Sequence, residues 1–375
     1  MDKRMFQNKP VSLLGYGCMR FPTREENGER RIDRAEAEKL LDCAYAAGVN
    51  YYDTAYGYHG GESEQFLGEA MKKYPRESFY FATKLPIWMM QDDGPERMEE
   101  IFSDQLRRLQ TDYIDFYLLH GVDADGFETV KRLGAYDFIR QKQAEGKVRH
   151  VGISFHDTPE VLEKILDTYA FDFVQIQLNY LDWTMQNAKR QYELLEERGI
   201  PCVVMEPVRG GALASLDKDA AAVLKQARPQ DSVASWAMRF VASLPGVLTI
   251  LSGMTTMDQL QDNLCTLSGF SPLSDADRDT LETAIGIFRK NGIIPCTGCW
   301  YCMDCPVGVQ IPDNFSRYNI YTVTKDEQAY RKSYEQFEPK ARASACVACG
   351  RCASRCPQQI DIPAKLKMIA DMMEK

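Results

Sequence analysis

The sequence predicts an α/β protein, a (β/α)8 TIM barrel followed by a small, mostly helical domain. From about Ser12 to Leu267, short apolar or β-branched runs alternate with longer amphipathic segments. That alternation is typical of repeated βα units around a parallel sheet. Beyond Gly292 the composition shifts to Cys, Pro and Gly. We therefore expect a barrel over residues 1–290 and a second domain over residues 291–375.

The barrel prediction depends on eight segments with strand composition. They are Ser12–Gly15, Val49–Asp53, Phe79–Leu85, Ile114–His120, Val148–Ser154, Phe173–Leu178, Cys202–Glu206 and Thr249–Ser252. Amphipathic stretches with helical periodicity follow them. These include Ala35–Ala47, Glu62–Lys73, Glu96–Leu109, Thr158–Thr168, Gln186–Arg198, Met257–Leu267 and Ser274–Lys290. Eight strands with eight crossovers in about this length indicate a closed barrel.

Composition limits where the protein acts and what it binds. The 375 residues carry a net charge of −9, and 45% of them are hydrophobic. No stretch is long and apolar enough to span a bilayer, and no apolar run follows the charged start, so it does not resemble a secretory signal. Binding of nucleic acid requires clustered Lys and Arg, which the sequence lacks. We expect a cytoplasmic protein that binds neither membrane nor nucleic acid.

Eight of the twelve cysteines lie in two runs near the C-terminus, and each run ends in Cys-Pro. The eight are Cys296, Cys299, Cys302 and Cys305, then Cys346, Cys349, Cys352 and Cys356. The second run has the bacterial ferredoxin spacing C-x2-C-x2-C-x3-C-P, and the first is one residue shorter in its last gap. This pattern indicates metal ligands rather than structural thiols.

A [4Fe–4S] cluster needs four thiolates, and a closely spaced triplet lets one loop hold three of them. The last cysteine of each run should then ligate the other cluster, so Cys356 joins the first triplet and Cys305 joins the second. Zinc prefers separated C-x2-C pairs, and disulfides are uncommon in a cytosolic chain. The sequence therefore predicts two [4Fe–4S] clusters, a reducing compartment and an anaerobic or low-oxygen niche. A helical segment at Asp326–Phe337, between the runs, favours a mostly helical ferredoxin-like domain.

Polar side chains fall at the C-terminal ends of the predicted strands, where barrel active sites lie. Asp53, Lys84 and His120 end the second, third and fourth strands, and Tyr58 follows Asp53 by five residues. Taken singly, a helix cap, a snorkelling lysine or a hydrogen-bonded core histidine would explain them. Their convergence on one barrel mouth favours a catalytic site.

These side chains suit the reduction of a carbonyl group by hydride, which requires a proton for the alkoxide that forms. Tyrosine is too weak an acid–base group at neutral pH unless its pKa is lowered. A neighbouring ammonium favours the phenolate, and a carboxylate keeps that ammonium charged and in place. A histidine beside the tyrosine can donate a hydrogen bond to the substrate oxygen.

The segments DTAYGY, TK and LLH occur in order on the second, third and fourth strands and resemble the aldo-keto reductase superfamily. The resemblance covers about Pro10 to Leu267. It implies a catalytic tetrad of Asp53, Tyr58, Lys84 and His120, with Tyr58 as the general acid and Tyr56 as its only rival. The whole chain resembles the subgroup that carries a C-terminal ferredoxin-like domain with two [4Fe–4S] clusters.

The resemblance also implies a nicotinamide dinucleotide, bound without a Rossmann fold. Ser154 and Gln175 match contacts to the carboxamide, although Phe155 stands where an asparagine usually follows. The implied contacts to the rest of the dinucleotide are Arg209, Gly210 and Gly211 at the diphosphate and Thr255, Gln259, Asp262 and Asn263 at the adenosine. Basic residues for a 2′-phosphate are missing there, so NADH and NADPH both stay open. The alternative for the adenosine segment is a helix N-terminus with ordinary caps.

We therefore predict an oxidoreductase that reduces an aldehyde or ketone with NAD(P)H, or oxidises an alcohol in reverse. Hydride transfer moves two electrons at once, whereas each cluster passes one at a time. A second hypothesis is therefore a reductase linked to a ferredoxin or flavoprotein partner, with a flavin as one candidate for splitting the electron pair. A third is a redox-sensing module with structural clusters. The complete tetrad favours the first.

Overall fold

The computed structural model describes residues 1–26, 28–90, 94–288, 290 and 292–373. The chain forms two compact units. The first contains Met1–Pro207 and Met238–Pro272, and the second contains Val208–Ala237 and Leu273–Lys375. The predicted domain boundary between residues 290 and 291 stays a prediction, because residues 289 and 291 lie outside the described part.

Eight parallel strands of the first unit close into a barrel in chain order. They are β1 (Leu14–Gly17), β2 (Tyr51–Asp53), β3 (Tyr80–Pro86), β4 (Ile114–Val122), β5 (Val148–Phe155), β6 (Phe173–Gln177), β7 (Cys202–Met205) and β8 (Val247–Ser252). The pairing of Ile250 with Leu14 joins β8 to β1 and closes the barrel. Each strand overlaps a predicted strand, so the (β/α)8 prediction is confirmed.

Helices connect the strands and continue into the second unit. They are α1 (Arg34–Ala46), α2 (Glu62–Met71), α3 (Pro95–Leu109), α4 (Ala124–Leu133), α5 (Ala135–Ala144), α6 (Pro159–Thr168), α7 (Asp182–Met185), α8 (Ala188–Glu197), α9 (Lys218–Ala227), α10 (Val233–Ala242), α11 (Met257–Leu267), α12 (Asp275–Phe288), α13 (Ile311–Thr324), α14 (Glu327–Glu335) and α15 (Ile362–Met373). Within the described ranges, no helix combines the length and apolar composition that a membrane span requires.

Local sequence explains where these helices begin and end. The Asp123 carboxylate accepts a hydrogen bond from the Gly126 amide at 2.7 Å and caps the start of α4. Gly134 then adopts a left-handed conformation with φ of 64°, which ends α4 and separates it from α5. Short polar side chains satisfy free amides at helix starts, and glycine enters this backbone region without strain.

An antiparallel hairpin of Lys3–Phe6 and Lys9–Ser12 precedes the barrel and was not predicted. Ser12 therefore belongs to the hairpin rather than to β1. The hairpin contributes Phe6 to the barrel core, where its ring lies 5.5 Å from Phe116 and 4.8 Å from His150. Full burial of such a ring contributes roughly 1.5–3 kcal/mol. A second unpredicted hairpin comprises Thr23–Glu26 and Glu29–Ile32.

The regular elements among the described residues of the second unit are helices, and turns and irregular segments carry the two cysteine runs, which confirms the prediction of a helical C-terminal region. Its core contains Ile311 and Phe315 of α13 together with Leu366 and Ile369 of α15. Elsewhere in this unit, the Arg228 guanidinium donates two hydrogen bonds to Asp277, at 2.9 and 2.7 Å. This bidentate pair links the end of α9 to α12.

Gly68 lies where α2 meets the end of α3, and a Cβ atom there would lie 2.4 Å from the Arg108 carbonyl oxygen. We expect Gly68→Ala to lower the free energy of unfolding by about 1–3 kcal/mol, because the backbone must shift to relieve the overlap. Gly286→Ala in α12 is the matched control, since no atom lies within 4 Å of its added methyl group. Urea unfolding followed by circular dichroism measures both, and equal stability of Gly68→Ala and the parent protein would contradict the expectation.

Candidate functional site

A buried ion pair occupies the C-terminal ends of β2 and β3. The Lys84 ammonium donates to both carboxylate oxygens of Asp53, at 2.7 and 2.8 Å, and to the Thr54 carbonyl oxygen at 2.8 Å. It also lies 3.5 Å from the hydroxyl of Tyr58, at the start of the turn Tyr58–Gly61. The structure thus brings together three of the four side chains that the sequence assigned to the tetrad.

The fourth side chain, His120 of β4, lies beside Tyr58. The two rings are 5.9 Å apart between centroids and inclined at 78°. Burial lowers the pKa of His120 well below its ordinary value, and the charge of the Lys84 ammonium lowers it further. The imidazole is therefore neutral near pH 7, and one ring nitrogen can donate a hydrogen bond.

Burial and the neighbouring charge shift the pKa of Asp53 in opposite directions. Burial raises the pKa of its carboxyl group, and the Lys84 ammonium opposes that rise through its charge and its hydrogen bonds. Lys84 is completely buried, and Asp53 is 4% exposed. A buried ion pair persists only when hydrogen bonds compensate for the lost water, and the Thr54 carbonyl adds one here.

The Tyr56 side chain contacts residues of α3 instead of Lys84. Its hydroxyl lies 3.2 Å from Asp104, to which it donates a hydrogen bond, and its ring lies 4.1 Å from the Arg108 guanidinium carbon. The contact with Lys84 belongs to Tyr58. Geometry therefore favours Tyr58 over Tyr56 as the tyrosine of the site.

A buried polar network holds the strand behind Lys84, and no sequence pattern predicted it. Gln105 of α3 donates to the Lys84 carbonyl oxygen at 3.0 Å and to Glu64 at 2.8 Å. Glu64 also accepts from Thr83 at 2.6 Å, and Tyr117 donates to Gln105 at 2.7 Å. These bonds fix the backbone that carries Lys84.

His156 is a further residue that sequence reasoning missed. Its Nε2 atom lies 3.4 Å from the Ser154 hydroxyl, and burial lowers its pKa to about 4, with a smaller effect from Lys84. Its position two residues after Ser154, just beyond β5, was the available signal. The barrel mouth therefore contains two neutral histidines beside one lysine.

Ser154 of β5 and Gln175 of β6 are directly paired across neighbouring strands. The Met205 sulfur of β7 lies 3.9 Å from the Ser154 hydroxyl and 3.4 Å from the Gln175 amide nitrogen. The Gln175 Oε1 atom is buried and has no hydrogen-bond partner among the described residues. An unpaired buried acceptor is costly, and the amide of a nicotinamide would provide the missing donor. These residues therefore fit the group that the sequence predicted.

The predicted adenosine segment forms the start of α11. Thr256 and Gln259 form a reciprocal capping box, and Gln259 Oε1 also accepts from the Thr255 amide at 2.8 Å. Asn263 is buried and donates to Ser252 at 3.0 Å. These bonds account for Gln259 and Asn263 as helix-stabilising residues. Contacts from Thr255, Gln259, Asp262 and Asn263 to a nucleotide stay a prediction.

The predicted diphosphate residues begin the turn Arg209–Ala214 and belong to the second unit. Arg209 is 2% exposed, and its guanidinium donates to Gln358 at 3.3 Å. Gly210 lies against Thr297. Arg209 and Gly210 thus contact the cysteine-rich part of the chain, and the diphosphate role of Arg209, Gly210 and Gly211 stays a prediction.

The cysteines come together in the two sets that their spacing predicts. One cavity is lined by Cys296, Cys299, Cys302 and Cys356, so it combines a triplet from the first run with the last cysteine of the second. In the other set, burial raises the pKa of Cys352, and Cys346, Cys349 and Cys305 lie close enough to raise it further.

The thiols suit a cluster better than a single ion. Among the described residues, no three His, Cys, Asp or Glu side chains converge closely enough to hold one metal ion. A [4Fe–4S] cube carries its thiolates on separate iron corners, so its ligands are spread more widely than those of one ion. The apolar side chains of Ile311, Phe315 and Ile360 complete the wall of the first cavity. The site fits an iron–sulfur cube.

Comparison with known proteins defines the class. Residues 13–285 match the Aldo/keto reductase family, and residues 295–360 match the 4Fe-4S dicluster domain. The chain belongs to the aldo/keto reductase family, whose members are oxidoreductases, and carries a C-terminal 4Fe-4S dicluster domain. The resemblance drawn from the sequence is confirmed for both parts.

Particular relatives align mainly with the barrel. Over 287 residues, the chain is 27% identical to the uncharacterized oxidoreductase YqkF of Bacillus subtilis, covering 68% of this chain and 86% of the relative. Over 297 residues, it is 29% identical to the NADH-specific methylglyoxal reductase of Escherichia coli, covering 67% and 87%. The holo structure of an aldo-keto reductase from Bacillus halodurans aligns with 28% identity and a TM-score of 0.62, covering 76% of this chain and 96% of that one.

If the two runs exchange their last ligands, as the spacing predicts, a specific pattern of iron loss follows. Cys356→Ala with Cys296→Ala removes two ligands of one cluster, so anaerobically reconstituted protein should keep about half of its iron. Cys356→Ala with Cys352→Ala damages both clusters and should abolish the EPR signals of intact [4Fe–4S] centres. Cys265→Ala is the control, because Cys265 is exposed and lies outside both runs. The opposite ranking of the two double variants would show that each run ligates its own cluster.

Proposed function

We propose that the protein reduces an aldehyde or ketone with NADH or NADPH, using Tyr58 as the proton donor. The contact of Lys84 with Tyr58 at 3.5 Å, beside the buried Asp53, is the observation that carries the proposal. The dinucleotide, when bound, supplies the hydride for the carbonyl carbon. The similarity to an NADH-specific methylglyoxal reductase supports a carbonyl substrate and NADH as the donor.

Tyr58 supplies the proton, and three other side chains of the chain support the transfer. Tyr58 Oη gives its proton to the substrate oxygen as the alkoxide develops, and the Lys84 ammonium stabilises the phenolate that remains. Asp53 holds that ammonium in place through two hydrogen bonds. His120, which is neutral, donates a hydrogen bond to the same substrate oxygen and orients it. Because each step is reversible, the same residues would serve the oxidation of an alcohol.

Binding of the nicotinamide ring is assigned to the end of β5 and β6. The unpaired Gln175 Oε1 would accept from the carboxamide, and the Ser154 hydroxyl would donate to it. The Trp88 ring lies 4.5 Å from that of His120, and 43% of the residue is exposed. An exposed aromatic ring beside His120 would provide an apolar wall for a small carbonyl substrate in the cytoplasm.

A second candidate function follows from the 4Fe-4S dicluster domain. The clusters would pass single electrons between the substrate reaction and a ferredoxin or flavoprotein partner. The tetrad reaction itself needs no iron, so the two activities are separable. A redox-sensing role with structural clusters is the remaining alternative, and it predicts no electron transfer during turnover.

Tyr58→Phe removes only the hydroxyl group, and we expect it to lower kcat for carbonyl reduction by about 100- to 10,000-fold, as loss of a general acid does. Tyr56→Phe is the matched control, because that hydroxyl contacts Asp104, and it should change kcat little. Steady-state oxidation of NADH with methylglyoxal as the carbonyl substrate measures both. Loss of activity in Tyr56→Phe alone would reverse the assignment.

An anaerobic titration with NADH, then NADPH, distinguishes the two candidate functions. If the clusters take part in turnover, either nucleotide should bleach their visible absorbance and produce an EPR signal. If they do not, carbonyl reduction should proceed while the absorbance stays constant. The Tyr58→Phe variant, which retains the cysteines, should show the same cluster response as the parent protein.

A further inference from the structure

Three successive residues of the second unit adopt a left-handed backbone. Arg209, Gly210 and Gly211 have φ values of 50°, 63° and 97°. Glycine enters this region freely, but arginine does so rarely, and such a conformation persists only where the surroundings enforce it. The backbone conformation at Arg209 therefore depends on contacts that this segment makes elsewhere in the unit.

The contacts of Arg209 and Gly210 are with residues that lie next to both cysteine runs in the sequence. Gly210 packs so closely on Thr297, which follows Cys296, that a Cβ atom would lie 2.2 Å from the Thr297 carbonyl oxygen. The Arg209 guanidinium donates to Gln358 Oε1, two residues after Cys356, at 3.3 Å. Cys296 and Cys356 are ligands of the same proposed cluster, one from each run. The Arg209 segment thus contacts the neighbours of both.

The guanidinium also lies next to the cavity of thiols. Gln358 and Thr297 both line the cavity with Cys296, Cys299, Cys302 and Cys356, so Arg209 is hydrogen-bonded to a residue of the cavity wall. Arg209 is 2% exposed, and Ile311, with other apolar side chains, lines the cavity. In such an environment, charges interact far more strongly than in water and are poorly screened by salt.

We propose that Arg209 raises the reduction potential of the cluster held by Cys296, Cys299, Cys302 and Cys356. A cluster that accepts one electron becomes more negative by one charge, so a buried guanidinium beside it stabilises the reduced form over the oxidised form. No bond forms or breaks, and the electron comes from the external reductant. The inference rests on the proposed ligation of this cluster.

The test is an EPR-monitored redox titration of the full-length, iron-loaded protein with dithionite. Arg209→Gln should make reduction of one cluster at least about tenfold less favourable, a shift of about 59 mV to lower potential for one electron. The other cluster should keep its midpoint. Arg209→Lys retains the charge and should keep most of the parent potential. Cys349→Ala, which removes a proposed ligand of the second cluster, identifies which midpoint belongs to which cluster.

Arg331→Gln is the control for loss of a cation from the same unit, because Arg331 forms a partly exposed pair with Glu327. It should move neither midpoint. The Arg209→Gln shift should persist in high salt, since the charge is buried. Unchanged midpoints in an Arg209→Gln protein with full iron content would overturn the proposal.

If Arg209→Gln does not take up iron, Arg209→Met replaces it in the titration. This variant keeps a long side chain and removes the positive charge, so it should lower the same midpoint. An unchanged midpoint in iron-loaded Arg209→Met would contradict the proposal. Iron content is measured separately, so failure of the cluster ligation is distinguished from failure of the Arg209 assignment.

Discussion

The buried ion pair between Lys84 and Asp53 is the interaction on which the barrel mouth depends. Removing one partner from a buried pair typically costs about 3–5 kcal/mol, because the other charge is left uncompensated. The pair therefore ties the ends of β2 and β3 together. Gln105 and Glu64 support it from behind by fixing the strand that carries the lysine. Because the Lys84 ammonium is held away from water, the ends of β2 and β3 and the side chains behind them must keep fixed positions.

The Lys84 ammonium also affects the other polar side chains of the site. It contacts the Tyr58 hydroxyl, and its charge adds to burial in lowering the pKa of both His120 and His156. Two neutral imidazoles beside one ammonium give a mouth in which positive charge is concentrated at Lys84, next to the Tyr58 hydroxyl. A developing alkoxide would meet that charge and a neutral donor together, which is the arrangement that stabilises such an oxyanion.

The second unit brings together cysteines from two runs that lie about forty residues apart in sequence. A helical core that includes Phe315 and Leu366 sets the spacing between the runs, and each run supplies the last thiol of the other set. The segment from Val208 to Gly211, which follows β7 in the chain, belongs to this unit as well. Its arginine brings a buried cation to a cavity of thiols, where charge balance controls the ease of reduction.

The sequence by itself determined the eight barrel strands, and it predicted the order of the four candidate site residues and the two cysteine sets, because period, chain order and ligand spacing are local properties of a chain. It assigned Tyr58 through resemblance and kept Tyr56 as a rival, since both lie in one loop and only side-chain direction separates them. It also missed His156, the Gln105 network and the Phe6 hairpin. Only the tertiary structure placed Arg209 beside Gln358, because that contact joins residues 149 positions apart. Contacts of that range depend on how the whole unit packs, and no local pattern encodes them.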